Sequence, residues 1–288
     1  MNEREWIGGP IAITGASGQV GRALQRRLAG LGNQVRPVSR GDDLRAAFCR
    51  ADAAVLLAGG LSVHAPDTYE STNVDTVRTA LSALDGSGVR RVVFLSFITA
   101  DPGSDDPYLR AKGEAEQLLY DSGQPVVVFR TGHIYGPPGD PGPTASAFLS
   151  RSGKPIRVLG DGSQRIAPVY LGDVVEAILR AALDPPAPDG TFELVGPQTM
   201  TADGFAQELN DYDATLSHTP AWLSRGLAHV VPSLTPTLVD VMLRDAVPSE
   251  DPMRTARAFG FTLHRIEEVW GHPDLDPYAW RASELLVS

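Results

Sequence analysis

Ile11-Ala12-Ile13-Thr14-Gly15-Ala16-Ser17-Gly18-Gln19-Val20-Gly21 holds a strand, a glycine turn and the start of a helix within a single short run. The first four residues form a short buried strand, and apolar residues then recur at helical spacing through Val20, Leu24 and Leu28. Gly15 permits a sharp turn, Gly18 lets the backbone approach a ligand, and Gly21 allows the helix to lie close on the strand. The helix start presents unpaired amides and the positive end of a dipole, which together suit an anion.

The same alternation continues downstream. Strands are expected at Val35 to Val38, Ala53 to Leu57, Arg91 to Leu95 and Val126 to Phe129, with helices at Asp43 to Arg50, Thr72 to Leu84 and Tyr108 to Tyr120 between them. Continuous β-branched runs separated by helices predict a parallel sheet covered on both faces, a doubly wound α/β fold of Rossmann type. Ligands in such folds sit at the carboxyl ends of the strands.

After Arg130 the pattern shifts. Gly136 to Pro143 is rich in proline and glycine and reads as a loop leaving the sheet. Leu171 to Leu183 is again helical and Phe192 to Val195 is a strand, while Pro197 onward reads as helices broken by Pro220, Pro232, Pro236 and Pro248. The expected division is a core of residues 1–134 with part of 165–196, and a smaller, mostly helical substrate-side lobe of 135–164 and 197–288. No internal repeat or low-complexity tract interrupts it.

Bulk properties narrow the function. The chain has 288 residues, enough for a sizeable core, with 42% hydrophobic and 21% charged residues, as in ordinary globular proteins. A formal charge of −10 and a pI near 5.0 argue against nucleic acid or an anionic membrane surface as partner. Cys49 is the single cysteine, so no disulfide forms within the chain and no thiolate metal cluster is possible. The six histidines show no spacing with acids that suggests a metal site. No apolar run reaches the length of a membrane span and the first residues lack a secretory h-region, so a cytoplasmic protein with a small-molecule substrate is expected; the oligomeric state is not legible.

The glycine turn, placed between a strand and an amphipathic helix, is the fingerprint of a dinucleotide site, with Gly15, Ser17, Gly18, Gln19, Val20 and Gly21 cradling the pyrophosphate. The end of the second strand selects the coenzyme. Ser39 and Arg40 stand there, a hydroxyl and a guanidinium suited to a 2′-phosphate, which points to NADP; Asp42 and Asp43 follow and leave NAD as the alternative. Tyr108 and Lys112 are four residues apart on one helix face, where an ammonium can lower a phenol's pKa and make it a proton donor or acceptor.

Together these residues resemble the short-chain dehydrogenase/reductase superfamily in its extended or atypical branch. The resemblance includes Leu57-Ala58-Gly59-Gly60 after the third strand, Asn73, Ser96, the run from Tyr108 to Glu116, Arg130 to Pro137, Gly160 to Gly162, and Val169 to Val174. The overall pattern is similar to the NAD-dependent epimerases, to NmrA-like proteins and to the accessory subunit of respiratory complex I. It implies that Tyr108 is the general acid/base and that Lys112 holds the nicotinamide ribose and depresses the tyrosine's pKa. It further implies that Ala58, Gly59 and Gly60 border the cofactor, that Thr131 to Ile134, with His133, lie along the nicotinamide, and that Asp173 caps or anchors its helix. The pattern departs from the family at Leu95-Ser96-Phe97-Ile98-Thr99, where a Ser-Ser or Ser-Thr pair is usual. Ser96 is the first candidate for the third catalytic member and Thr99 the second, with Phe97 in the working position. Arg130-Thr131 stands where Arg-Pro is usual.

Other residues have plainer readings. Glu114 and Glu116 are expected to serve the helix surface or a neighbouring loop, Arg165 to line a cleft or face solvent, and Trp222, Trp270 and Trp280 to pack the C-terminal helices. His64 reads as a surface or packed residue. The function implied is an NADP-dependent oxidoreductase acting on a carbonyl or secondary alcohol of a small metabolite. The alternatives are an epimerase or dehydratase that recycles the hydride, and a cofactor-sensing or assembly protein without turnover.

Overall fold

A computed structural model of the chain describes residues 9–150, 153–184, 187–231 and 234–271; Trp280 lies outside them. The expected strands form as β1 (Ile11–Thr14), β2 (Val35–Val38), β3 (Ala53–Leu56), β4 (Arg91–Phe97) and β5 (Val126–Thr131), joined by a sixth, Gly190–Leu194. All six pair in parallel, in the order Gly190–Leu194, β5, β4, β3, β1, β2. The inner strands β1, β3, β4 and β5 are largely buried on both faces, which is why they read as apolar runs rather than alternating ones, while β2 and Gly190–Leu194 at the edges are partly exposed. The topological switch falls at β1, whose neighbours are β2 and β3, and β2 is the edge.

Helices cover both sides. On one face α1 (Gln19–Gly30) buries Ala23, Leu24 and Leu28 against Ile11, Ile13 and Val55. On the other, α2 (Leu44–Phe48), α3 (Asp75–Leu84) and α4 (Pro107–Asp121) bury Phe48, Val77, Ala115 and Leu119 against Ala54, Phe94 and Val128. α5 (Gly142–Ala147) leads into the second lobe, and α6 (Leu171–Leu183) returns to the face of α1, with a helical turn of π type at Glu70–Val74 preceding α3.

Capping explains where the helices begin. Asp106 precedes Pro107 and its carboxylate accepts the Tyr108 and Leu109 amides at 3.0 and 3.1 Å; Asp43 caps α2 in the same way through Arg45 and Ala46. α1 differs, since Gly18 precedes it and no side chain caps its first turn.

The second half is less uniformly helical than its proline pattern suggests. Leu216–Thr219 pairs with Ile156–Leu159, and Met200–Thr201 with Arg165–Ile166, as small two-stranded sheets. Residues 253–263, expected on the substrate side, instead pack on the central sheet. Ala256, Phe259 and Leu263 join its core, and the Phe259 ring meets Phe129 and Phe192 edge-on at 5.2 and 4.9 Å. The signal is one short apolar face on the helix Met253–Phe259, too brief to show in sequence which surface it seeks. Asp173 secures the same segment: its buried carboxylate accepts the His264 amide at 2.8 Å and pairs with the His264 ring at 2.6 Å.

Candidate functional site

The glycine turn closes on itself through the Gly18 amide, which donates to Gly15 O at 3.0 Å. Gly15 has φ +67°, and a Cβ there would lie 2.6 Å from the Ala58 amide nitrogen; one on Gly21 would lie 2.5 Å from Gly15 O. Both positions therefore require glycine for conformation or for space. Beside the turn lies a cavity of about 640 Å3, a usual size for a small-molecule site. Thr14, Gly15, Ser17, Ser39, Arg40, Ala58 and Gly59 are among its lining residues. A tight glycine turn on one wall, leading into a helix whose first turn no side chain caps, fits the phosphates of a dinucleotide.

Of the remaining turn residues, Gln19 directs its side chain away, packing against Gly142 where there is no room for a Cβ; its buried Nε2 has no hydrogen-bond partner. Gly60 is held from both sides by Asn73, accepting from Nδ2 and donating to Oδ1, each at 3.2 Å. Asn73 is fully buried and fixes the loop after β3.

At the far end of the cavity the candidate coenzyme selectors separate. Asp43 is spent as the cap of α2, and Asp42 accepts the Ser39 amide at 2.7 Å. Arg40 reaches across to Asp67, a residue the sequence reading did not single out, at 2.9 Å.

The Tyr–Lys helix is positioned at the other end. Lys112 is buried, and its ammonium donates to Leu95 O at 2.8 Å and lies 4.6 Å above the Phe94 ring. It also approaches the backbone at Gly59, where a Cβ would stand 3.4 Å from Nζ. Burial lowers its pKa to about 8, partly offset by Glu116. The Tyr108 phenol is pushed above its ordinary pKa, first by burial and then by Asp106 and Tyr69. The expected depression of the phenol by Lys112 is therefore not seen, and the ammonium is engaged by Leu95 O.

Ser96 also departs from its expected role. Its buried hydroxyl donates to Glu116 Oε1, and Glu116 is in turn bound by Arg130 through Nε at 3.0 Å and Nη2 at 2.6 Å. Glu116, expected on the helix surface, is thus the centre of a buried clamp joining β4, α4 and β5. Strand alternation explains the outcome, because Ser96 shares its face with Phe94, and Phe97 takes the opposite one. There the Phe97 ring meets Tyr108 edge-on at 5.6 Å, with Tyr69 on Tyr108 at 6.3 Å. Thr131 donates its hydroxyl to Ser96 O at 3.3 Å. His133 is buried with Nδ1 unpartnered, and burial lowers its pKa to about 4. Thr131, His133, Tyr108 and Lys112 are not among the residues lining the cavity beside the glycine turn.

Arg165 lines a separate cavity of about 860 Å3 with His218 and Arg225. Trp270 donates Nε1 to Gly136 O at 3.1 Å, while Trp222 is exposed rather than packed, and His64 is an exposed residue near Ser62. Among the described residues no helix is long and apolar enough to cross a membrane.

A doubly wound sheet with a glycine turn, an Asn-held loop and a Tyr–Lys helix at its carboxyl edge defines a dinucleotide-binding protein of the extended short-chain dehydrogenase/reductase type. Residues 11–193 match the model of the NAD dependent epimerase/dehydratase family, and the chain belongs to that family. Among its relatives, NADH dehydrogenase [ubiquinone] 1 alpha subcomplex subunit 9, mitochondrial, of Arabidopsis thaliana is 26% identical over 238 residues, covering 72% of this chain and 59% of that protein. The ceramide reductase of Caulobacter vibrioides is 24% identical over 193 residues, 59% of this chain and 60% of that protein. The chain thus spans about three fifths of the length of these two relatives. Similar solved structures include MoeE5 in complex with UDP-glucose and NAD, at TM-score 0.70, 18% identity, and 89% and 94% coverage of the two chains. The UDP-glucose 4-epimerase of Thermotoga maritima follows at 0.69, 20% identity, and 90% and 96% coverage. These structures share the fold.

Proposed function

We propose that the chain is an NADP-dependent oxidoreductase that reduces a carbonyl of a small metabolite, with Tyr108 as proton donor. The observation that carries this reading is the placement of Lys112. Its buried ammonium lies between the carboxyl end of β4 and the Gly59 loop, one helical turn from a buried, protonated phenol. Lys112 would hold the nicotinamide ribose, and the amides of α1 the pyrophosphate. The bound nicotinamide supplies the hydride. Tyr108 passes its phenolic proton to the carbonyl oxygen as that oxygen gains charge. A phenol whose pKa is raised keeps its proton at neutral pH, which supports donation over abstraction. Ser96 and Thr131 already donate elsewhere, which supports Tyr108 as the donor.

NADP is favoured over NAD because both acids near the end of β2 are engaged by backbone amides, whereas Arg40 extends over the cavity. The test is consumption of NADPH against a panel of ketones, aldehydes and quinones, with Tyr108→Phe alongside. Substrate-dependent oxidation that disappears in the variant is expected. Product without net loss of NADPH would instead assign the hydride-recycling chemistry of an epimerase or dehydratase.

One observation favours a second reading, a cofactor-sensing or assembly protein. A phenyl ring, Phe97, stands against Tyr108 where a hydroxyl would serve catalysis. That reading predicts tight NADPH binding with no oxidation by any member of the panel, and a partner retained in one redox state only.

A further inference from the structure

The loops after β2 and β3 are tied together over the cavity beside the glycine turn by an ion pair, Arg40 Nη1 to Asp67 Oδ2 at 2.9 Å. Both residues line the cavity, and their side chains are 79% and 40% exposed, so the pair stands at its mouth in contact with water. Such an exposed pair holds weakly and exchanges partners easily. The other acids of the lining, Asp42 and Asp75, are engaged with the Ser39 amide and with Arg78. Arg40 is the single cation among the lining residues, and Asp67 occupies it.

Resting on the proposal that this cavity takes the adenosine half of a nicotinamide dinucleotide, we propose that Asp67 sets coenzyme preference by competing with a 2′-phosphate for Arg40. When the ribose carries hydroxyls only, the Arg40–Asp67 pair stays closed over it. A 2′-phosphate displaces Asp67, because a dianion with three acceptor oxygens is the stronger partner for a guanidinium. The displaced carboxylate then remains close to the phosphate and repels it. Asp67 therefore holds NADP affinity below what Arg40 alone would give, and leaves NAD affinity nearly untouched.

The test is titration of NADPH and NADH into the full chain, with Asp67→Asn, Arg40→Ala and the double variant. Asp67→Asn, which removes the charge and keeps the shape, is expected to tighten NADPH about five- to twenty-fold at low salt and to move NADH less than about twofold. The gain is expected to shrink as salt rises and to be smaller when Asp67→Asn is made in the Arg40→Ala background, where only the repulsion of the phosphate is relieved. Equal shifts for both coenzymes, or weaker NADPH binding, would overturn the role of Asp67 while the dinucleotide site stands. If neither coenzyme binds any of the four proteins, the dinucleotide reading itself fails, and the inference with it.

Discussion

The ring of Phe97 meets that of Tyr108 edge-on, 5.6 Å between centroids, at the carboxyl end of β4. This contact holds the Tyr108 ring by packing. Tyr108→Phe keeps the stack and removes only the proton. Turnover is expected to fall at least a hundredfold, with the dissociation constant for NADPH within about threefold of wild type. Stopped-flow hydride transfer and equilibrium titration measure the two separately, and near-normal turnover in the variant would remove Tyr108 from the mechanism.

Ser96→Ala separates a structural serine from a catalytic one. The hydroxyl serves the Glu116–Arg130 clamp, so its loss is expected to cost about 1 kcal/mol of stability and to change turnover only a few-fold. Glu116→Ala, which strands Arg130, is expected to cost about 3 kcal/mol in urea unfolding. A hundredfold loss of turnover in Ser96→Ala would return that residue to the catalytic set.

The glycine turn allows a graded test. A Cβ at Gly18 meets only Gly15 O at 3.2 Å, whereas one at Gly21 is driven to 2.5 Å from the same atom. Gly18→Ala should therefore leave the melting temperature nearly unchanged and weaken dinucleotide binding about tenfold or more. Gly21→Ala is expected to lose about 3 kcal/mol of stability. Equal effects of the two on stability would contradict this geometry.

His133 gives the acid limb of stability a specific contributor. Its folded pKa, about 4, lies below the usual 6.5, so between those values the unfolded chain binds a proton that the folded chain does not. Stability from this ring is complete above pH 6.5 and is lost as pH falls toward 4. His133→Gln should flatten that limb when urea midpoints are followed from pH 7 to 4, and an unchanged slope would show that the ring protonates freely in the native state.

Much of this architecture is legible in the chain. Buried parallel strands write continuous apolar runs, and the Gly15–Gly21 spacing names its own geometry. The Tyr108–Lys112 spacing likewise follows from helix periodicity. What escaped reading depends on contacts between distant segments. Glu116 looks like a surface acid until β4 and β5 bring Ser96 and Arg130 to it. Asp67 carries no local signal, since its partner lies 27 residues away across a cavity. The 253–263 segment has too short a pattern to declare that it belongs to the sheet, where the burial of Ala256, Phe259 and Leu263 and the His264–Asp173 contact hold it.

The sheet stops at β2, and among the described residues no strand pairs with its outer side. The loop bearing Ser39 and Arg40 therefore rests on a rim rather than inside a wall, and the Arg40 side chain and the Asp67 carboxylate it meets are both in contact with water. Substitutions at these exposed side chains need no repacking of buried ones, so on the proposed reading the coenzyme can be exchanged through a few solvent-facing changes. The heritable part of the design is the cradle; the choice of what it carries is left to its most replaceable residues.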